Sequence, residues 1–67
     1  MIKFSVNGKI FELENDINVY EFLAQNGYEI KFIALERDGE ILPKKLWRES
    51  FMSEGKTYEI VTLVGGG

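Results

Sequence analysis

Apolar and polar positions alternate from the start of the chain, with Ile2, Phe4 and Val6 separated by Lys3 and Ser5. A period of two puts successive side chains on opposite faces, so Met1 to Leu13 predicts strands rather than helix. Asn7-Gly8 interrupts the run, and this dipeptide suits the positive φ that both central residues of a tight hairpin turn need. Ile10 and Phe11–Leu13 then form the return strand. After them the period changes. Val19, Phe22 and Leu23, joined by Tyr20, give the three-and-four spacing of a helical apolar face. Asn18 is placed as its N-cap, and Glu21 completes an N-x-x-E capping pattern. Asn26-Gly27 ends this helix, the glycine suiting a left-handed cap.

Lys31 to Glu36 carries Phe32, Ile33, Ala34 and Leu35, a nearly continuous apolar run that predicts a central strand. Arg37-Asp38-Gly39-Glu40 reads as a turn. Ile41-Leu42 reads as a short strand cut by Pro43, which cannot donate to a ladder and so belongs at an edge. Lys44 to Ser50 predicts a helical turn that tucks Leu46 and Trp47 inward. Glu54-Gly55 is the last turn, and Tyr58 to Val64 the last strand. The order predicts an α+β roll, a mixed sheet of four to five strands packed on one main helix. In such a roll the last strand runs parallel to the first and lies beside it at the sheet's centre.

Sixty-seven residues make one small domain. A domain of this size buries only about 60% of the surface its unfolded chain exposes. With no cysteine and no histidine in the chain, the core rests on apolar residues, with Phe4, Phe11, Phe22, Phe32, Phe51 and Trp47 as its expected aromatics. The same absence removes thiol metal sites, Cys–His and Ser–His pairs, and an imidazole base. An enzyme using the carboxylates Glu12, Glu14 and Asp16 is a weak alternative, because a core this small leaves little material for an enclosed pocket. Those residues read better as a solvated edge and loop. The net charge is −3. Lys44-Lys45 and Arg48 form no basic stripe, which disfavours nucleic acid. The lysine pair reads as ordinary surface, with Arg48 available to an acidic partner. No apolar segment reaches the roughly 20 residues of a membrane span. The strand-like N-terminus predicts a cytoplasmic protein.

The sequence closes on Gly65-Gly66-Gly67, directly after Ile60-Val61-Thr62-Leu63-Val64. Glycine adds nothing to a core and loses the most freedom when fixed. It does form a thread without Cβ atoms, able to enter a narrow channel with a main-chain carboxylate at its tip. By itself such a tail reads equally as a frayed end. The expected organisation is a domain at 1–64 and a flexible tail at 65–67. Along the last strand Tyr58, Ile60, Thr62 and Val64 share one face, and Glu59, Val61 and Leu63 the other. Glu59 marks its face as the solvent side. That leaves Val61 and Leu63 pointing outward beside the tail, as a candidate partner-docking patch.

These elements and the Gly-Gly ending together resemble the ubiquitin-like β-grasp proteins, and among them the ThiS family, the sulfur carriers of thiamine biosynthesis. The likeness covers essentially the whole chain. It rests on the helix start Asn18-Val19-Tyr20-Glu21-Phe22-Leu23, the segment Ala34 to Pro43, Trp47 shortly after that proline, and the apolar strand running into glycines. What the resemblance implies is a protein co-substrate rather than an enzyme. An adenylyltransferase resembling the ubiquitin-activating enzymes adenylates the Gly67 carboxylate with MgATP. Sulfur then replaces AMP, and the thiocarboxylate donates sulfur to the thiazole ring in a thiazole synthase. The chain itself binds no cofactor. Gly65 departs from the pattern by lengthening the glycine run, and the extra freedom must be frozen on insertion. Three alternatives remain open at this point. They are a carrier like the small subunit of molybdopterin synthase, a ubiquitin-like protein modifier, and a β-grasp binding module with an inert tail.

Overall fold

The computed structural model describes residues 1–63. Val64 and the tail glycines Gly65, Gly66 and Gly67 lie outside the described residues, and so does the boundary between a domain at 1–64 and a tail at 65–67.

Strands β1 (Ile2–Val6) and β2 (Lys9–Leu13) form the predicted antiparallel hairpin, with Phe4 opposite Phe11. Both turn residues take positive φ, 50° at Asn7 and 81° at Gly8. Asn7 has a second role that its turn propensity does not announce. Its N–H donates to the Tyr58 carbonyl at 2.9 Å, and its Oδ1 accepts the Ile60 N–H at 2.8 Å. The hairpin turn therefore also holds the last strand.

Helix α1 (Val19–Gln25) has seven residues, too few to persist alone in water. Its first turn is satisfied from two directions. Asn18 Oδ1 accepts the Glu21 N–H at 2.7 Å, as the capping pattern predicts. The Val19 and Tyr20 N–H groups donate to the carbonyls of Ser50 and Trp47, at 2.8 and 3.1 Å. These donors have no partner within a helix, so the loop following the sheet edge completes a helix start that lies far from it in sequence.

A 3-10 turn (Ile30–Phe32) leads into β3 (Ile33–Arg37), a tight turn, and β4 (Glu40–Ile41). A second 3-10 turn (Lys44–Leu46) and a long loop then precede β5 (Thr57–Thr62). The five strands form one sheet in the order β2-β1-β5-β3-β4. Strand β5 is parallel to β1 and antiparallel to β3, the central position expected of it, and β4 is an edge. The core lies between the helix and one face of the sheet, built from Phe4, Val6, Val19, Phe22, Leu23, Ile33, Leu35, Leu42, Trp47, Met52 and Tyr58. Edge-to-face contacts of Phe22 with Phe4 and Phe11, at 5.4 and 5.1 Å, join the helix to the hairpin.

Five expectations are corrected. The central strand begins at Ile33 rather than Lys31. Ile33 faces the core, so alternation sends Phe32 to the other side, and Phe32 is exposed rather than core. Phe51 is exposed too, because it sits in an extended bridge opposite Asn18 and the alternate residue, Met52, takes the inward position. Leu46 stays at the surface. Successive residues of a 3-10 turn point about 120° apart, so only Trp47 enters, and its indole N–H donates to the Leu42 carbonyl at 2.8 Å. The short edge strand is Glu40–Ile41 rather than Ile41-Leu42. Leu42 instead turns into the core while its N–H still reaches the Leu35 carbonyl at 2.8 Å.

Candidate functional site

Strand β5 separates two environments three residues apart. Tyr58 is 0% exposed and Val61 is 48% exposed. Inward, the Tyr58 hydroxyl accepts the Ser53 N–H at 2.9 Å, and its ring meets Phe4 edge-on at 5.7 Å. Outward, Glu59, Val61 and Leu63 are all exposed, as alternation predicts. Burial also fades along the inward face, from Tyr58 through half-buried Ile60 to exposed Thr62. The strand thus leaves the core before the glycine segment begins.

Register decides what stands beside Val61 and Leu63. On β3, Ala34 is opposite Val61 and Glu36 opposite Glu59. One strand further, Ile41 is opposite Glu36. The Leu63 N–H donates to the Phe32 carbonyl at 2.7 Å, bringing the two residues together at the end of the ladder. Val61 and Leu63 therefore belong to a wider outward-facing area that includes half-buried Ala34 and exposed Ile41 and adjoins Phe32. Sequence reasoning missed Glu36, Ala34, Ile41 and Phe32 as members of this surface. No local signal marks them, because their placement depends on how β3 aligns with a strand distant in sequence.

The other charged candidates fall elsewhere. Glu14 and Asp16, with Glu21 and Gln25, line an open depression of about 440 Å³ beside the helix, while Glu12 lies on β2 and does not line it. Among the described residues, no three His, Cys, Asp or Glu side chains are grouped to hold a metal ion. The Lys44 ammonium donates to the Lys31 carbonyl at 3.2 Å. The Arg48 guanidinium stacks 3.7 Å from the Tyr20 ring centroid, on the helix side of the sheet. Asp38, in the β3–β4 turn, receives the Thr57 N–H at 2.9 Å and the Lys56 ammonium at 3.3 Å. That hydrogen bond first, then Lys56, holds its carboxyl below the usual carboxylate range.

A mixed five-stranded sheet wrapped on one helix, with its parallel central strand leading out of the core, defines a ubiquitin-like β-grasp protein. Residues 4–67 match the ThiS family, and the chain belongs to that family. A crystal structure described as the thiamine biosynthesis protein ThiS from Geobacter metallireducens superposes with a TM-score of 0.80 at 26% identity, covering 98% of this chain and 100% of that one. The uncharacterized protein ycf40 of Trieres chinensis is 34% identical over 64 residues, 96% of this chain and 88% of that protein. A thiazole synthase of Paramagnetospirillum magneticum is 30% identical over 66 residues, which are 98% of this chain and 20% of that protein. Among the described residues, no helix is long and apolar enough to cross a membrane.

Proposed function

We propose that the chain is a sulfur carrier of thiamine biosynthesis, with the carboxylate of Gly67 as its working group. The observation that carries this reading is the course of β5. It is clamped between β1 and β3 at its start, leaves the core by Thr62, and presents Val61 and Leu63 at the surface beside the glycine segment. Membership of the ThiS family and the likeness to a structure described as a thiamine biosynthesis protein support the pathway.

In the proposed sequence, a carboxylate oxygen of Gly67 attacks the α-phosphorus of ATP on a partner adenylyltransferase, and pyrophosphate leaves. The resulting acyl adenylate is a competent electrophile where the carboxylate was not. A sulfide-level nucleophile attacks its carbonyl carbon and expels AMP, leaving a thiocarboxylate at Gly67. The thiocarboxylate sulfur, a strong nucleophile at neutral pH, is then transferred to the forming thiazole on a thiazole synthase. The similarity of this chain to one fifth of a thiazole synthase supports that enzyme as the acceptor. MgATP belongs to the activating partner, and the chain serves both enzymes as a substrate. Gly65, Gly66 and Gly67 contribute by what they lack, since a run without Cβ atoms fits a channel that closes on the carboxylate. Val61 and Leu63 serve as the docking contact, and the setting is cytoplasmic.

Intact-protein mass spectrometry tests this reading. After incubation with the adenylyltransferase of the same cell, MgATP and a sulfide source, the chain is expected to gain the difference between sulfur and oxygen. A variant lacking both Gly66 and Gly67 is expected to stay unchanged. An unchanged mass in the intact chain, with the enzyme shown to be active, overturns the proposal and favours a binding module with an inert tail. Ladders on other proteins would identify a protein modifier.

A further inference from the structure

Two Asn-Gly dipeptides, Asn7-Gly8 and Asn26-Gly27, stand at the surface of the chain. In such a dipeptide the glycine nitrogen can add to the asparagine side-chain carbon, because no Cβ hinders its approach. The fold treats the two differently. At Asn26 the side-chain nitrogen donates to the Phe22 carbonyl at 2.8 Å, and the Gly27 N–H donates to the Ala24 carbonyl at 3.1 Å. Leaving group and attacking nitrogen are thereby both held. At Asn7 the hydrogen bond falls on the other end of the amide, where Oδ1 accepts the Ile60 N–H at 2.8 Å. A donor there stabilises the negative charge that develops on the oxygen when a nucleophile adds to the carbon. Among the described residues, the Gly8 N–H meets no acceptor. Nothing lies within 4 Å of where a Gly8 Cβ would stand, so water and base reach that nitrogen.

Asn7 is also the residue through which the hairpin holds β5. The parallel ladder of β1 with β5 has only the register pairs Ser5 with Thr57 and Val6 with Tyr58. Asn7 extends it with its own N–H, given to the Tyr58 carbonyl, and with the Oδ1 that takes the Ile60 N–H. Beyond Tyr58, the register partners of β5 lie on β3 alone. A chemical change at Asn7 therefore acts on the part of β5 that leads out of the core.

We propose that Asn7-Gly8 is a self-modifying site whose product releases β5 from the hairpin. The Gly8 nitrogen gives its proton to solvent and bonds to the Asn7 side-chain carbon. The amide carbon–nitrogen bond breaks and ammonia leaves, closing a five-membered succinimide ring. Water then opens the ring at either carbonyl. Opening at the former side-chain carbonyl gives aspartate, whose oxygen still accepts the Ile60 N–H. Opening at the former main-chain carbonyl gives isoaspartate, in which the main chain runs through the old side chain. That product lengthens a two-residue turn whose geometry sets the register of its strands. It also takes away the side-chain oxygen that held Ile60. The reaction consumes only water and needs no enzyme, and it proceeds whatever the glycine tail carries.

The test incubates the full chain at mildly alkaline pH, folded and in urea, and follows both dipeptides by peptide mass spectrometry. Fragmentation that distinguishes aspartate from isoaspartate identifies the products. In the folded chain Asn7 is expected to convert at least about tenfold faster than Asn26, the difference that a hydrogen bond or two makes. In urea the two should convert alike. Equal rates in the folded chain, or a faster Asn26, would overturn the assignment of the site. Amide exchange by NMR reads the consequence. In the isoaspartate chain, separated by chromatography, the Ile60 N–H is expected to exchange at least about tenfold faster than in the parent, while the Leu42 N–H keeps its rate. Asn7→Gly tolerates the positive φ and lacks the oxygen, so it should reproduce the Ile60 effect without incubation. Freshly prepared Asn7→Asp should exchange as the parent does. An Ile60 amide as slow in the isoaspartate chain as in the parent would overturn the release of β5. Should Asn7→Gly fail to fold, the separated isoaspartate chain still carries the comparison.

Discussion

The two faces of the sheet are made by the same strands and behave as different molecules. On the helix side, Tyr58, Leu35 and Phe4 are shut away with Trp47 and Leu23. On the open side, residues on the alternate positions of the same strands, Val61, Ala34 and Glu36, face solvent or lie only half-buried. Alternation is a property of the extended backbone, so a single strand carries stability on one set of alternate positions and recognition on the other, the even positions facing the core on β5 and the odd ones on β3. The lesson is that changes three residues apart on β5 should fail in different assays.

Trp47→Ala strikes the packed face hardest. It empties the largest fully buried side chain and removes the donor to Leu42. A loss of about 3–5 kcal/mol is expected, a large share of what a small domain possesses, and urea denaturation would report it. A variant that keeps nearly full stability would break the comparison by showing that the helix side is not where stability resides. Val61→Asp with Leu63→Asp probes the opposite face. Unfolding free energy should move by less than about 0.5 kcal/mol, while binding of the adenylyltransferase weakens at least tenfold. If that double variant unfolds instead, the assignment of the open face is wrong.

Asn18→Ala sharpens the same contrast from the helix end. Loss of the cap to the Glu21 N–H should cost about 1 kcal/mol, visible in a thermal melt, with partner binding unaffected. The smallest effect belongs to the turn joining β3 and β4. The folded-state carboxyl of Asp38 lies below its usual value, so its contribution is present above the unfolded pKa and is lost as pH falls through the lower folded one. Asp38→Asn should therefore lower the melting temperature slightly at neutral pH, where the contribution is present, and reduce its acid dependence below about pH 4, where parent and variant converge. A steeper acid dependence in the variant would reverse the sign argued here.

Much of this was readable one residue at a time. Asn7-Gly8 announced a hairpin because few dipeptides tolerate two positive φ values. Asn18 and Glu21 announced the helix start because a short side chain can reach a free N–H three residues on. The alternation of Glu59, Val61 and Leu63 announced their exposure. The errors fell on Phe32, Phe51 and Leu46, where hydropathy was taken for burial. A large apolar side chain states what it prefers, and the count of inward positions decides whether it is served.

What the sequence determined alone was local: turns, caps, the two periods, and the glycine run that follows β5. Each follows from backbone sterics or from a side chain reaching a near neighbour. Only the tertiary structure decided that Asn7 clamps Ile60, that Ser50 and Trp47 complete the helix start, and that Glu36 stands beside Glu59 with Ile41 next to it. These pairings join residues far apart along the chain. Their register is set by the whole core closing at once, because a slip of one residue would turn Tyr58 to solvent and Val61 to the helix.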